Sequence, residues 1–176
     1  LIGEPTVAMG ALESYRTRYP QHFMQRMRAQ LGLNAAHDGD STHIDTLLHL
    51  LADNAVDFPS FWRRLARAVG SGDFETVRGL FADRAGWDRW LLSFSEHVAL
   101  THRALDANLM LGNNPHIVLR NHLAQQCIEA AQAGEFSALQ ALQIALQKPF
   151  DEHPDHEAYA DFPPDWAAHL SISCSS

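Results

Sequence analysis

Cys127 and Cys174 are the only cysteines in this 176-residue sequence, and their surroundings differ. Cys127 stands in "LAQQCIEAA", in register with leucines on one helix face, so the sequence predicts a small buried hydrophobic residue. Cys174 is the third residue from the end, in "SISCSS". Side chains near a terminus are usually exposed, and an accessible thiol either has a redox role or is incidental. The absence of a C-x-x-C pair disfavours a stand-alone thiol oxidoreductase.

Histidines stand among carboxylates in two segments, "HDGDSTH" at 37–43 and "DEHPDHE" at 151–157. Imidazole and carboxylate groups are both ligands for divalent metals. Neither segment has the H-E-x-x-H spacing of zinc proteases or the spacing of a zinc finger, and flexible loops rarely preorganise ligands. We therefore expect solvated surface in both segments and assign no metal ligand.

Arg120 and Asn121 lie beside an apolar stripe in "VLRNHLAQ". An arginine in this position could clamp a carboxylate or a phosphate of a ligand. It could also pair with an acidic side chain or cap a neighbouring helix, and we favour that structural role. The common nucleotide-binding and nucleophile motifs are absent from the sequence, so we assign no catalytic residue and no cofactor to it.

Composition and charge exclude several classes of protein. The net charge of −8 disfavours non-specific binding to nucleic acid, which needs a basic face, and the 46% hydrophobic content disfavours global disorder. No apolar run approaches the roughly 20 residues that span a bilayer. The sequence begins with Leu1 and lacks a basic signal-peptide start, so we expect a processed or truncated N-terminus and a cytoplasmic location.

Helical periodicity runs through most of the sequence and predicts an all-α fold, an irregular array of several helices. The segment 83–105 is a clear example because its apolar residues recur on one face, and Arg103 falls among the polar residues of the other face. The predicted inner face includes Trp87, Trp90, Phe94 and Val98.

A helical hairpin is predicted over about 113–148, followed by a tail of different character. Asn114 can cap the first helix, Pro115 suits its first position, and Gly134 ends it. We therefore divide the sequence into a helical region, 1–150, and an extended Pro-rich tail, 151–176. Four aromatic residues could anchor the tail region to the surface, namely Phe150, Tyr159, Phe162 and Trp166.

Several spaced motifs, in the same order, resemble the C-terminal part of the selenoprotein O family. They are "YPQHFMQRMRAQLGL", "NPHIVLRNHLAQQCIEA", "PFDEHP" and the final "PPDW" with "CSS". Gln30 stands where the family commonly has Lys, and the resemblance is weakest across "NAAHDGD" and 70–111. Long motifs in the right order are far more specific than any one of them alone.

The resemblance implies a function that this sequence by itself does not show. Members are pseudokinase-fold protein adenylyltransferases, which transfer AMP from ATP to Ser, Thr or Tyr hydroxyls of other proteins. Their ATP- and Mg²⁺-binding residues lie in a kinase-like region upstream, so this chain looks like a C-terminal helical portion that is catalytically inert alone. That kinase-like region and the protein substrates are the partners that the resemblance implies. Cys174 stands where eukaryotic members have selenocysteine, which implies a redox-regulatory thiol.

An independent helical protein-interaction module is the alternative from another class. Broad apolar surface such as that at 47–51 could dock another chain. A truncated domain also exposes the surface that faced its lost partner, so a homodimer is a further possibility.

Overall fold

The structure is a computed structural model that describes residues 5–170, without the side chains at 5–7 and 11. Residues 5–170 contain α-helices and short 3-10 helices and no strand, so the all-α prediction is confirmed. The α-helices are α1 (Pro5–Gln30), α2 (Asp40–Asp53), α3 (Phe58–Ser71), α4 (Glu75–Arg78), α5 (Arg84–Leu100), α6 (Ala107–Asn113), α7 (Asn121–Gln132) and α8 (Ser137–Gln147). The 3-10 helices are Pro154–Ala160 and Asp165–His169.

The main core lies among the C-terminal part of α1 and helices α2 to α6, and aromatic side chains fill its centre. Phe81 stacks on Trp87 with 5.0 Å between ring centroids, and Trp90 stacks on Phe94 at the same distance. The predicted inner face of α5 is therefore correct, because Trp87, Trp90, Phe94 and Val98 are all buried. Aromatic pairs of this kind stabilise a core beyond the effect of area burial alone.

A second, smaller core holds helices α7 and α8 together. Leu123 and Cys127 of α7 pack with Leu142 of α8, and Tyr159 of the tail covers the cluster. The predicted hairpin is present, and Cys127 is buried as predicted.

The predicted start of the hairpin at Asn114 and Pro115 is wrong, because α7 begins at Asn121. Asn114 is fully buried, and its side-chain amide donates to the carbonyl oxygen of Gln30 at 3.0 Å. The backbone N–H groups of His116 and Ile117 donate to the carbonyl oxygen of Pro149 at 2.6 and 3.2 Å. These long-range bonds satisfy the backbone in an extended conformation and outweigh the local capping signal.

Arg103 does not lie on a solvated helix face, contrary to the prediction. Helix α5 ends at Leu100, and the Arg103 guanidinium turns inward to Asp40, at 2.7 and 3.1 Å. Asp40 is 1% exposed and also contacts His97 Nε2 at 2.9 Å. Burial would raise the pKa of Asp40, but hydrogen bonds from Arg103 and His97 outweigh it and lower that pKa to about 2. The segment "HDGDSTH" is therefore only partly solvated.

Between Phe150 and Leu170 the chain follows the surface as predicted, with short 3-10 turns between extended stretches. The Arg64 guanidinium lies 4.9 Å from the centroid of the Phe162 ring, in a cation–π contact. The rings of Trp166 and His122 make an edge-to-face contact, with 6.2 Å between their centroids. None of the helices between residues 5 and 170 is long and apolar enough to cross a membrane.

The turn after α1 should be intolerant of a side chain at Gly32. Gly32 has a φ of +76°, and an added Cβ would lie 2.9 Å from both Asp106 N and Met110 Cγ. We expect Gly32→Ala to lower the free energy of unfolding by about 2–3 kcal/mol in urea denaturation. The control is Gly112→Ala in α6, where an added Cβ meets nothing within 4 Å and should stabilise by up to about 1 kcal/mol. Equal effects of the two substitutions would contradict this account.

Candidate functional site

The side chain of Arg63 joins helix α3 to the tail. Arg63 is 5% exposed, and its guanidinium donates to the carbonyl oxygens of Leu111 at 3.2 Å, Asn114 at 3.1 Å and Phe150 at 3.3 Å. It also bonds the carboxylate of Glu152. One buried cation therefore connects three segments that are distant in sequence: α3, the end of α6, and the beginning of the tail.

A second arginine of α3 also bonds the carboxylate of Glu152. Arg67, one turn after Arg63, donates to Glu152 Oε2 at 2.8 Å. Burial alone would raise the pKa of Glu152, but the hydrogen bond and charge of Arg63, reinforced by Arg67, lower it instead. Glu152 is therefore ionised at neutral pH.

The imidazole of His116 lies between two carboxylates. Its side chain is 2% exposed, with Nδ1 3.5 Å from Glu152 Oε2 and Nε2 3.3 Å from Glu157 Oε2. Neither approach has hydrogen-bond geometry, and both ring nitrogens lack a hydrogen-bond partner in the described part of the chain. We call Arg63, Arg67, His116, Glu152 and Glu157 together the tail junction.

Arg120 forms a bidentate pair with Asp57, at 2.7 and 2.8 Å. Asp57 is the N-cap of α3, where it accepts from the Ser60 backbone N–H at 3.1 Å. Burial would raise the pKa of Asp57, but the bonds from Arg120 and Ser60 outweigh it and lower that pKa to about 2. The guanidinium of Arg120 is thus occupied by a structural carboxylate.

One protein family matches this sequence along most of its length. A model of the family described as protein adenylyltransferase SelO matches residues 4–147. The chain belongs to the SelO family. The protein nucleotidyltransferase YdiU of Variovorax paradoxus (strain S110) is 54% identical over all of this chain and 36% of its own length.

Two further relatives carry the same name. That of Albidiferax ferrireducens is 47% identical over all of this chain, and that of Aliivibrio fischeri (strain ES114) is 41% identical over 94% of it. These matches cover 36% and 34% of the relatives. The chain therefore spans about a third of the length of the curated relatives it matches.

Of the site residues predicted for this SelO-family chain, Arg120 and Asn121 lie in the described part of the chain, and their surroundings differ. Arg120 points inward to Asp57, whereas Asn121 is exposed at the start of α7. Cys174 lies outside the described residues. The segment "DEHPDHE" contributes Glu152 and Glu157 to the tail junction, although both side chains remain about half exposed, at 52% and 56%.

The sequence alone did not identify Arg63 and His116 as site residues, because their partners are distant in sequence. Glu152 follows Arg63 by 89 residues, and nothing local marks the pair. One local pattern in α3 does indicate a role for Arg63. Most residues near it in the helix are buried, and a buried arginine needs internal hydrogen-bond acceptors. These neighbours are Phe61, Trp62, Leu65, Ala66 and Ala68.

The pair of Asp57 and Arg120 should make stability depend on acid pH. Because the folded pKa of Asp57, about 2, lies below its ordinary value of 3.8, the pair stabilises the fold above pH 4. That stabilisation is lost as the pH falls through 2. We expect Asp57→Asn to lower the free energy of unfolding by about 1–2 kcal/mol at pH 7, with the difference from wild type shrinking towards pH 2.

The measurement is urea denaturation from pH 7 to pH 2, with Arg120→Gln and the double variant completing a mutant cycle. Asp155→Asn is the control, since that exposed carboxylate lies outside the pair. A difference between Asp57→Asn and wild type that stayed constant with pH would contradict the assignment.

Proposed function

We propose that this chain is the C-terminal helical region of a protein adenylyltransferase that transfers AMP from ATP to Ser, Thr or Tyr hydroxyls of other proteins. The family match over residues 4–147 supports the activity. The whole chain aligns with only 36% of the length of a relative, which supports the proposal that it is part of a longer protein. The residues that hold ATP and Mg²⁺ then lie in a kinase-like region outside this chain.

The role of this region is to support that kinase-like region and to carry the terminal thiol. Two observations favour a supporting role: the aromatic core and the internal pairing of three carboxylates with arginines. Asp40, Asp57 and Glu152 are each bonded to arginine within the chain, so they serve the fold rather than a nucleotide. The interface with the kinase-like region is part of the same proposal.

Cys174 is the proposed redox-regulatory thiol. Its partner would be a cysteine of the kinase-like region, because Cys127 is buried in the hairpin core and is a poor partner. The bond forms by exchange with a disulfide oxidant, which takes up two electrons and two protons as the two thiols become one disulfide.

A second candidate is an interaction module without enzymatic activity, and one surface favours it. An apolar groove of about 540 Å³ runs between α7 and α8, lined by Leu119, Cys127, Ile128, Leu139, Leu142 and Leu146. Exposed apolar surface of this kind commonly marks a protein interface. A homodimer of this chain through that groove belongs to the same candidate.

Transfer of labelled AMP from ATP to protein distinguishes the two candidates. We expect the full-length protein with Mg²⁺ to label itself or added proteins, and this chain alone to label nothing. Labelling by this chain alone would contradict the proposed inertness. A full-length protein that labels neither itself nor added proteins would favour the interaction module. Sedimentation velocity would then detect the self-association of that module.

The thiol assignment predicts a difference between two serine variants of the full-length protein. Cys174→Ser should abolish the disulfide formed with oxidised glutathione, as seen by peptide mapping under non-reducing conditions. Cys127→Ser should retain it, because the Cys127 side chain is buried. Loss of the disulfide in Cys127→Ser alone would refute the role given to Cys174.

A further inference from the structure

We propose that His116, Glu152 and Glu157 form a binding site for a divalent cation of the zinc class, which fastens the tail to the helices. The inference rests on the geometry of the tail junction and is independent of the adenylyltransferase proposal. The three residues come from two separate parts of the chain, the extended segment before α7 and the beginning of the tail. The bound ion would therefore cross-link these parts.

The spacing of the ligand atoms suits a small metal ion. One ligand atom from each of His116, Glu152 and Glu157 lies within 4.8 Å of the others. Nε2 of His116 is 3.3 Å from Glu157 Oε2. Two ligands each about 2.0–2.1 Å from a tetrahedral zinc ion are about 3.3 Å apart, so this pair needs little movement. One imidazole and two carboxylates leave the fourth position to water, as in open zinc sites.

The buried imidazole is a second observation that points to a ligand. The His116 side chain is 2% exposed, yet neither ring nitrogen forms a hydrogen bond within residues 5–170. A buried polar atom without a partner is costly, so such atoms are rare in folded proteins. The carboxylate oxygens approach the ring nitrogens at 3.5 and 3.3 Å without forming hydrogen bonds. A cation bound through one ring nitrogen and the carboxylates would give that nitrogen a partner and would account for the approach of the carboxylates.

The surrounding structure holds these ligands in place. The backbone N–H groups of His116 and Ile117 both donate to the Pro149 carbonyl oxygen, which fixes the two segments side by side. Arg63 and Arg67 hold the carboxylate of Glu152 from the side of α3. Hydrogen bonds to ligating carboxylates commonly orient them in metal sites. The expectation that "DEHPDHE" is too flexible to hold a metal therefore does not fit this arrangement.

The charges of the tail junction set the expected affinity. Arg63 and Arg67 offset the charges of Glu152 and Glu157, so a cation is attracted less strongly than by free carboxylates. We therefore expect a dissociation constant for Zn²⁺ on the order of micromolar. The rival arrangement has no metal, and the two carboxylates then contact the imidazole directly.

The test is calorimetric titration of ZnCl₂ into the full chain after treatment with a chelator. A Cys174→Ser background removes the terminal thiol as a competing ligand. We expect one Zn²⁺ per chain, and Glu157→Gln should weaken its binding about 10- to 100-fold. Glu157 suits the substitution because its side chain is 56% exposed, so the variant should fold. Visible absorption of the Co²⁺ form should show a four-coordinate site.

Asp155→Asn is the matched control, because this exposed carboxylate lies in the same 3-10 helix but outside the cluster. It should bind Zn²⁺ as the parent does. Absence of stoichiometric binding at Zn²⁺ concentrations up to 100-fold the expected dissociation constant would overturn the proposal in favour of the arrangement without a metal. Binding unchanged by Glu157→Gln would overturn it too, since the ion would then occupy another histidine cluster, such as that of His43 and His97.

Discussion

The buried guanidinium of Arg63 is the interaction on which the arrangement of this chain depends. A charge at 5% exposure needs internal partners, and the two terminal nitrogens of Arg63 bond three carbonyl oxygens and one carboxylate. Removing one partner of a buried ion pair costs about 3–5 kcal/mol, because the other charge remains uncompensated. The end of α6, the segment around Asn114 and the beginning of the tail are therefore fixed relative to α3.

The fixed tail limits where the terminal thiol can act. Contacts of Tyr159, Phe162 and Trp166 hold the tail against the helices as far as the second 3-10 helix. Cys174 follows Leu170, the last described residue, by four positions. Four residues span at most about 13–14 Å. If the redox proposal holds, the partner cysteine must come close to this end of the chain, which narrows the choice in the kinase-like region.

The sequence was sufficient for the fold class and the cores, because both follow from local periodicity. The stripe through Trp87, Trp90 and Phe94 predicted a buried face, and the structure buries it. The start of α7 could not be predicted in this way. Asn114 and Pro115 are good helix-starting residues, but bonds to Gln30 and Pro149 hold the chain extended there. Propensity is a weak signal that tertiary contacts readily override.

The tail junction was predictable only in part, for the same physical reason. Composition identified the carboxylates of "DEHPDHE" as ligand types, but the imidazole that faces them belongs to a segment more than thirty residues earlier. The arginines that orient Glu152 lie further away still, in α3. Pairings across such distances depend on the packing of α3 against α6 and the tail, which no local pattern encodes.

Hydrogen exchange of the Arg63→Met chain tests the central role of this residue most directly. We expect faster exchange at the amides of His116 and Ile117, which bond Pro149, and through residues 154–169, while α2 and α5 keep their protection. Arg89→Met is the control, because the Arg89 side chain on α5 is 73% exposed. Its amides should exchange like those of the wild type. Unchanged protection of the tail in Arg63→Met, or an equal loss throughout the helices, would contradict the account.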